Sequence, residues 1–285
     1  MAEWVHIHEV GPRDGLQNES RVITLEDKRA LIALLVRSGL RDIEVGSFVS
    51  PRAVPQMAET DALLAMLPQA DVRYGVLVPN ARGWDRFIAA RQDGADYSVA
   101  VFISASEGFS QSNLRCSITE SLDILRPVAA AAVAAGVDLR GYVSCVTDCP
   151  FDGPVAPGQV AEVVARLRDV APMPVSLGDT IGQGTPARVA RMIEAVAEVM
   201  PMAELAGHFH DTGGRALDNI AVALDLGVRA FDASVGGLGG CPYAPGAPGN
   251  VATEAVLELM ARRGFRTGVD ADMIAAAAEM ARGMR

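Results

Sequence analysis

Apolar positions recur along this chain in two alternating rhythms. Short runs rich in β-branched residues predict strands at Val5–Glu9, Asp42–Val45, Arg73–Val78, Tyr97–Phe102, Asp138–Val143, Val175–Gly178, Leu205–His210 and Ala230–Ser234. Between them, longer segments with a 3.6-residue apolar period predict helices. These are Leu25–Ser38, Gln56–Leu67, Gly83–Asp93, Ile118–Ala135, Pro157–Val170, Pro186–Met200, Gly214–Leu226 and Asn250–Arg262, with a ninth over Ala271–Arg282. Several boundaries carry their own signals. Thr24 precedes Leu25-Glu26-Asp27 as a cap with an acidic first turn, and Gly39 stops that helix. Ser117-Ile-Thr-Glu120 is a capping box, and Gly136 and Gly227 end two other helices.

Eight strand-then-helix units without a linker or composition break predict a single α/β domain over residues 1–285. Its expected architecture is a closed (β/α)8 TIM barrel with the active site at the C-terminal ends of the strands. An open doubly wound sheet is the competing reading. The turn after the first strand is Gly11-Pro-Arg-Asp-Gly15, and Gly236-Gly-Leu-Gly-Gly240 follows the eighth strand. Neither fits the dinucleotide fingerprint in its place, so no nucleotide or flavin cofactor is expected.

Composition narrows the function classes. The 285 residues are 50% hydrophobic and 21% charged, as in an ordinary globular protein. A formal net charge of -10 disfavours nucleic-acid and anionic-membrane partners. The N-terminus lacks a basic and apolar leader pattern, and the longest apolar stretch, Val128 to Val137, is about half a membrane span. A cytoplasmic location is the expectation. The four cysteines, Cys116, Cys145, Cys149 and Cys241, form no disulfide framework.

The unusual polar residues gather at the predicted strand ends. Arg13 and Asp14 follow the first strand, Glu44 ends the second, and Asn80 follows the third. Asp179 and Thr180 close the sixth, His208 and His210 the seventh, and Cys241 sits in the Gly-rich loop at about 236–249. His208-Phe-His210 is the sharpest signal, because residues i and i+2 of a strand face the same side and can reach one ion. His6-Ile-His8 has the same spacing near the start of the first strand, towards the opposite end, so no ligand role is expected there. Asp14 is the natural carboxylate partner of the upper pair. Asn250 reads either as the cap of the eighth helix or as an amide-oxygen ligand. Two imidazoles, a carboxylate and an amide oxygen leave open positions suited to Mg²⁺, Mn²⁺, Co²⁺ or Fe²⁺. Arg13 offers a cation beside that ion, or a salt bridge to Glu44. Cys241 offers a thiol that is protonated at neutral pH, on a loop with many glycines.

These motifs resemble the 3-hydroxy-3-methylglutaryl-CoA lyases of the metal-dependent lyase barrels. The resemblance rests on Val-Gly-Pro-Arg-Asp-Gly-Leu-Gln-Asn-Glu (10–19), Ile-Glu-Val-Gly-Ser-Phe-Val-Ser-Pro (43–51), Ser-Leu-Gly-Asp-Thr-Ile-Gly (176–182), His-Phe-His-Asp-Thr (208–212) and Gly-Leu-Gly-Gly-Cys-Pro-Tyr-Ala-Pro-Gly (237–246). It implies metal ligands Asp14, His208, His210 and Asn250, a catalytic Arg13, a mobile acid Cys241 and a supporting Glu44. It further implies a substrate pocket lined by Arg13, Gln17, Asn80, Asp179 and Thr180. The implied reaction is Mg²⁺- or Mn²⁺-dependent retro-Claisen cleavage of an acyl-CoA to acetyl-CoA and acetoacetate, in a chain that can form a homodimer or higher homo-oligomer. A lyase for a longer-branched 3-hydroxyacyl-CoA and a Claisen-condensing synthase or aldolase share the barrel and are the alternatives. Gly46, Ser20, Gly213-Gly-Arg215 and the short C-terminal tail depart from the family pattern.

Overall fold

A computed structural model describes residues 2–241 and 244–285, with the side chains of 241–248 outside the description. Eight parallel strands close into a barrel: β1 (His6–Glu9), β2 (Asp42–Ser47), β3 (Arg73–Leu77), β4 (Asp96–Ser104), β5 (Asp138–Ser144), β6 (Val175–Asp179), β7 (Leu205–Phe209) and β8 (Ala230–Ala233). They follow one another in chain order around the circle, and β1 pairs with both β2 and β8. The (β/α)8 expectation holds, and the open sheet is excluded by that closing pair.

The outer layer is helical. It comprises α1 (Leu25–Arg37), α2 (Thr60–Leu64), α3 (Ala81–Ala90), α4 (Glu107–Leu114), α5 (Ile118–Ala134), α6 (Pro157–Arg168), α7 (Pro186–Ala197), α8 (Ala216–Asp225), α9 (Thr253–Arg262) and α10 (Ala271–Arg282). Each turns an apolar stripe inward, as Leu31, Ile32 and Leu35 do on α1. The expected caps form: Thr24 Oγ1 accepts from Asp27 N–H, and Ser117 and Glu120 make the full capping box. No helix among the described residues is long and apolar enough to cross a membrane.

Two helical expectations need correction, and one helix was not anticipated. The run from Gln56 to Leu67 is a 3-10 turn, Pro55–Met57, followed by the short α2. The Gln56 side chain is used elsewhere, accepting from Ile23 N–H and donating to Arg21 C=O, so this segment is pinned to the first loop and not wound into one helix. The helix after β8 starts at Thr253, not Asn250, and its cap is Ala252. Finally, α4 escapes the sequence pattern because Ser, Gln and Asn dilute its apolar period, although Ser106 caps it conventionally.

Two glycines settle why the first loop can turn so tightly. Gly11 to Gly15 form one turn of π-helix, which carries Arg13 and Asp14. A Cβ at Gly11 would meet Glu9 Oε1 at 2.6 Å, and one at Gly15 would meet both Leu238 and Ser234 at 2.7 Å. The buried Glu9 carboxyl accepts from Gly11 N–H, Val235 N–H and Thr253 Oγ1–H, clipping the first loop to the eighth. Gly46 is likewise explained by its surroundings. A Cβ there would come within 2.6 Å of Thr60, whose buried hydroxyl hydrogen-bonds the backbone of Ser47 and Met57.

The barrel interior is unusually polar. Such interiors are commonly filled by branched apolar residues, whereas here His8, Glu44, Ser176, His208 and Asp232 are buried within it, with the partly exposed Arg140 beside them. Burial, and then the Arg140 charge, push the His8 imidazole down to about 3. The unfolded chain therefore takes up a proton near pH 6.5 that the folded chain refuses. This contribution to stability is complete above pH 6.5 and is lost as pH falls towards 3, by at most about 1.4 kcal/mol per pH unit. Denaturant titrations in chelator at pH 7 and pH 5 should show a smaller acid loss for His8→Gln than for the parent. Equal losses in the two would remove His8 as the cause.

Candidate active site

The strand ends bring six of the expected side chains to one cavity at the C-terminal mouth of the barrel. Arg13, Asp14, Gln17, Thr180, His208 and His210 line it, opposite an apolar wall that includes Val49, Leu77, Phe102 and Phe109; its volume is about 300 Å³.

Glu44 anchors the basic side. Its carboxylate is fully buried and accepts from Arg13 Nε at 2.7 Å and Nη2 at 3.1 Å, a bidentate fork, and from Tyr142 OH at 2.7 Å. Arg13 Nη1 donates to Asp14 Oδ1 at 2.7 Å. Of the five guanidinium N–H groups, these bonds use three, leaving one on each terminal nitrogen for the cavity. The salt-bridge reading and the functional reading of Arg13 thus coexist: the pair with Glu44 fixes the plane that the cavity sees. Burial opposes the Arg13 charge, but Glu44 and Asp14 outweigh it and raise its pKa further.

Asp14 sits between that cation and the histidines. Its Oδ1 also accepts from Gln17 Nε2 at 2.8 Å, and its Oδ2 accepts from Asn250 Nδ2 at 2.8 Å. Burial favours the neutral acid, yet Arg13, His208 and His210 hold the carboxyl down at about 2.

His208 and His210 project from the end of β7 as the i, i+2 spacing requires. Their Nε2 atoms stand 3.2 Å apart, and His208 Nε2 is 3.9 Å from Asp14 Oδ2. Asp14, His208 and His210 offer one ligand atom each within a 4.8 Å span. The other nitrogen of His208, Nδ1, is 3.1 Å from Asp232 Oδ2. That contact fixes a tautomer with Nδ1–H donating and the Nε2 lone pair turned towards Asp14 and His210. Two imidazole nitrogens and a carboxylate oxygen converging in this way fit a divalent cation. Burial depresses His208, but the Asp232 hydrogen bond and charge reverse the direction and raise it; burial and the neighbouring His208 lower His210 to about 4.

Two residues expected at the pocket lie outside this cavity's lining. Asn80 is exposed and caps α3, its Oδ1 accepting from Gly83 N–H at 3.0 Å. Asp179 is fully buried outside the cavity lining, bonded to Thr147 Oγ1 at 2.8 Å and Gly184 N–H at 2.9 Å, so it shapes the loop behind Thr180. Asn250 is not a helix cap; it bridges to His210 through the backbone and to Asp14 through its side chain. The Cys241 side chain lies outside the described residues.

Four participants were missed from sequence. Asp232 on β8 receives Ser176 Oγ–H at 2.7 Å and Arg140 Nη2 as well as His208. Tyr142 lies with its ring between Arg13 and Arg140, 5.7 Å and 5.5 Å from their guanidinium carbons. All four are polar residues inside strands, not at strand ends. A charged residue such as Arg140 or Asp232 within a predicted barrel strand was the available signal.

The HMGL-like family model matches residues 4–281. The chain belongs to the HMGL-like family. It is 53% identical over 272 residues to the hydroxymethylglutaryl-CoA lyase of Pseudomonas mevalonii, covering 95% of this chain and 89% of that one. It is 52% identical to the 3-hydroxy-3-isohexenylglutaryl-CoA/hydroxy-methylglutaryl-CoA lyase of Pseudomonas aeruginosa, covering 93% and 88%. Among solved structures, the HMG-CoA lyase of Brucella melitensis superposes with a TM-score of 0.97 at 54% identity, covering 100% and 99% of the two chains.

The Asp232–His208 contact generates a test. Asp232→Asn should weaken Mn²⁺ binding by about 10–100-fold, because the ligand's tautomer is no longer enforced. It should also lower the melting temperature, since Arg140 loses its carboxylate. Isothermal titration of metal-stripped protein measures the first effect; an unchanged Mn²⁺ affinity would show that Asp232 does not orient His208.

Proposed function

We propose that this chain cleaves 3-hydroxy-3-methylglutaryl-CoA to acetyl-CoA and acetoacetate in a divalent-cation-dependent reaction. The observation that carries the reading is the meeting of Asp14, His208 and His210 with the Arg13 fork at one cavity, in a chain about half identical to lyases of that name. Asp14, His208, His210 and Asn250 would hold the cation, and their mixed nitrogen and oxygen donors, with positions left for substrate oxygens, suit Mg²⁺ or Mn²⁺. When bound, it supplies Lewis-acid polarisation of the substrate's tertiary hydroxyl and a neighbouring oxygen.

The chain's own residues account for the rest. The hydroxyl proton is taken up within the Asp14–His208 pair. The C2–C3 bond then breaks, its electron pair passing to the acetyl carbon as a thioester enolate, while the hydroxyl carbon becomes the ketone of acetoacetate. The two unused N–H groups of Arg13 are placed to stabilise the enolate oxygen. Cys241 is the group assigned to protonate the enolate carbon, giving acetyl-CoA. Gln17 and Thr180 complete the polar side of the pocket.

The apolar wall of Val49, Leu77, Phe102 and Phe109 favours one further reading, a longer alkyl branch at the hydroxyl-bearing carbon. The relative acting on the isohexenyl homologue, by its name, points the same way. Ratios of kcat/KM for the methyl and the longer-branched acyl-CoA decide between them.

Metal-stripped protein should release acetyl-CoA from 3-hydroxy-3-methylglutaryl-CoA only after Mg²⁺ or Mn²⁺ is restored. Arg13→Lys should lower kcat by about 10²–10³, since Lys cannot bond Glu44 in a fork and still face the enolate. Equal kcat would sink the role given to Arg13. Cys241→Ser should abolish most turnover in a lyase; a condensing synthase of the same barrel type would be little affected.

A further inference from the structure

The opposite end of the barrel holds a second constellation that the lyase reading does not use. His6 and His8 lie two apart on β1, and Asp42 at the start of β2 is the register partner of His8 in the parallel ladder. His6 Nε2 is 2.9 Å from Asp42 Oδ2, and one nitrogen from each imidazole and a carboxylate oxygen all lie within 4.8 Å of one another. Zinc-type ions bind such atoms at about 2.0–2.2 Å, so tetrahedral ligand atoms stand about 3.4 Å apart. The widest separation exceeds that spacing by at most about 1.4 Å. We propose that His6, His8 and Asp42 form a second, independent site for a borderline divalent transition ion of the zinc class.

Access and charge both suit it. The His6 side chain is 41% exposed and that of His8 only 4%, so an ion enters past His6 and is shielded behind it. The fourth position is left to water. Burial keeps His8 neutral, and Asp42 is held ionised because its contacts with His6 and His8 overcome its own burial. The nearby cations are already engaged: Arg73 with Asp96 and Asp138, and Arg140 with Asp232. Glu44 Oε2, 4.0 Å from His8 Nε2, adds negative charge on the inner side. A bound ion would tie the first two strands together where the ladder between them is only two residue pairs long.

The site stands apart from the proposed reaction and is tested without it. Co²⁺ is the probe, followed by its visible absorption and by equilibrium dialysis. In a His208→Ala/His210→Ala background, which removes the upper imidazoles, one equivalent of Co²⁺ should remain bound. Adding His6→Asn or Asp42→Asn should abolish it. In the chain with His208 and His210 intact, His6→Asn should lower bound Co²⁺ by one equivalent and leave lyase turnover unchanged, with an unaltered circular dichroism spectrum. Failure of the double-alanine background to hold Co²⁺, in a protein still folded by that spectrum, would overturn the proposal. So would retention of the equivalent after either His6→Asn or Asp42→Asn.

Discussion

The Glu44 carboxylate, with no exposure to solvent, is the interaction on which the rest of the mouth depends. It receives two N–H bonds from Arg13 and one O–H bond from Tyr142. Arg13 in turn holds Asp14, and Asp14 faces His208. A buried ion pair of this kind is poor evidence for stability, because its desolvation offsets much of its attraction. What it supplies is direction. A guanidinium locked by a bidentate carboxylate presents its remaining donors at fixed angles, as a group that stabilises developing charge must. Removing one partner would leave an uncompensated charge in the interior, typically a loss of about 3–5 kcal/mol. The arrangement is therefore held as a unit or lost as one.

Charge balance explains why the site suits a cation. Asp14, Glu44 and Asp232 bring three carboxyl groups into the interior, against the two guanidiniums of Arg13 and Arg140. The excess falls beside His208, whose pKa is raised by Asp232 and whose Nε2 points at Asp14 and His210. Either a proton on the imidazole or a divalent ion answers it. Burial and the neighbouring His208 keep His210 neutral, so its ring is a ligand before it is a cation. Tyr142 separates the two guanidiniums with its ring and gives its hydroxyl to Glu44, so that the Glu44 and Asp232 pairs sit side by side without merging.

Much of this was legible because barrel chemistry collects where strands end. The strand rhythm located β1, β2 and β7 to within two residues; Arg13 and Asp14 lie just past β1, Glu44 lies within β2, and His208 and His210 lie at the end of β7. The same rule pointed to Asn80, which lies outside the cavity lining as the cap of α3; a polar residue between a strand and a helix satisfies a cap as readily as a ligand. It pointed equally to Asp179, whose carboxylate is taken up by the local donors Thr147 O–H and Gly184 N–H. Asp232, Arg140 and Tyr142 were hidden for the converse reason. Inward positions in mid-strand are expected to be apolar filling, and only the closed barrel reveals that charges from β2, β5, β7 and β8 meet across it.

The two histidine pairs show how little spacing decides by itself. His6-Ile-His8 and His208-Phe-His210 have the same i, i+2 pattern, both on barrel strands, and each has an aspartate within reach. They differ in what lies around them. The upper pair opens on a cavity beside a guanidinium with free donors, with Asp232 behind one ring to fix its tautomer. The lower pair meets solvent through His6, and the neighbouring Arg73 and Arg140 are engaged with Asp96, Asp138 and Asp232. An ion held above therefore has somewhere to put a substrate oxygen and a partner to share the developing charge. An ion held below could do no more than join strands. Catalytic character in this barrel comes from the company a ligand set keeps, and that company is assembled by the long-range closure of β1 against β8, which no local pattern contains.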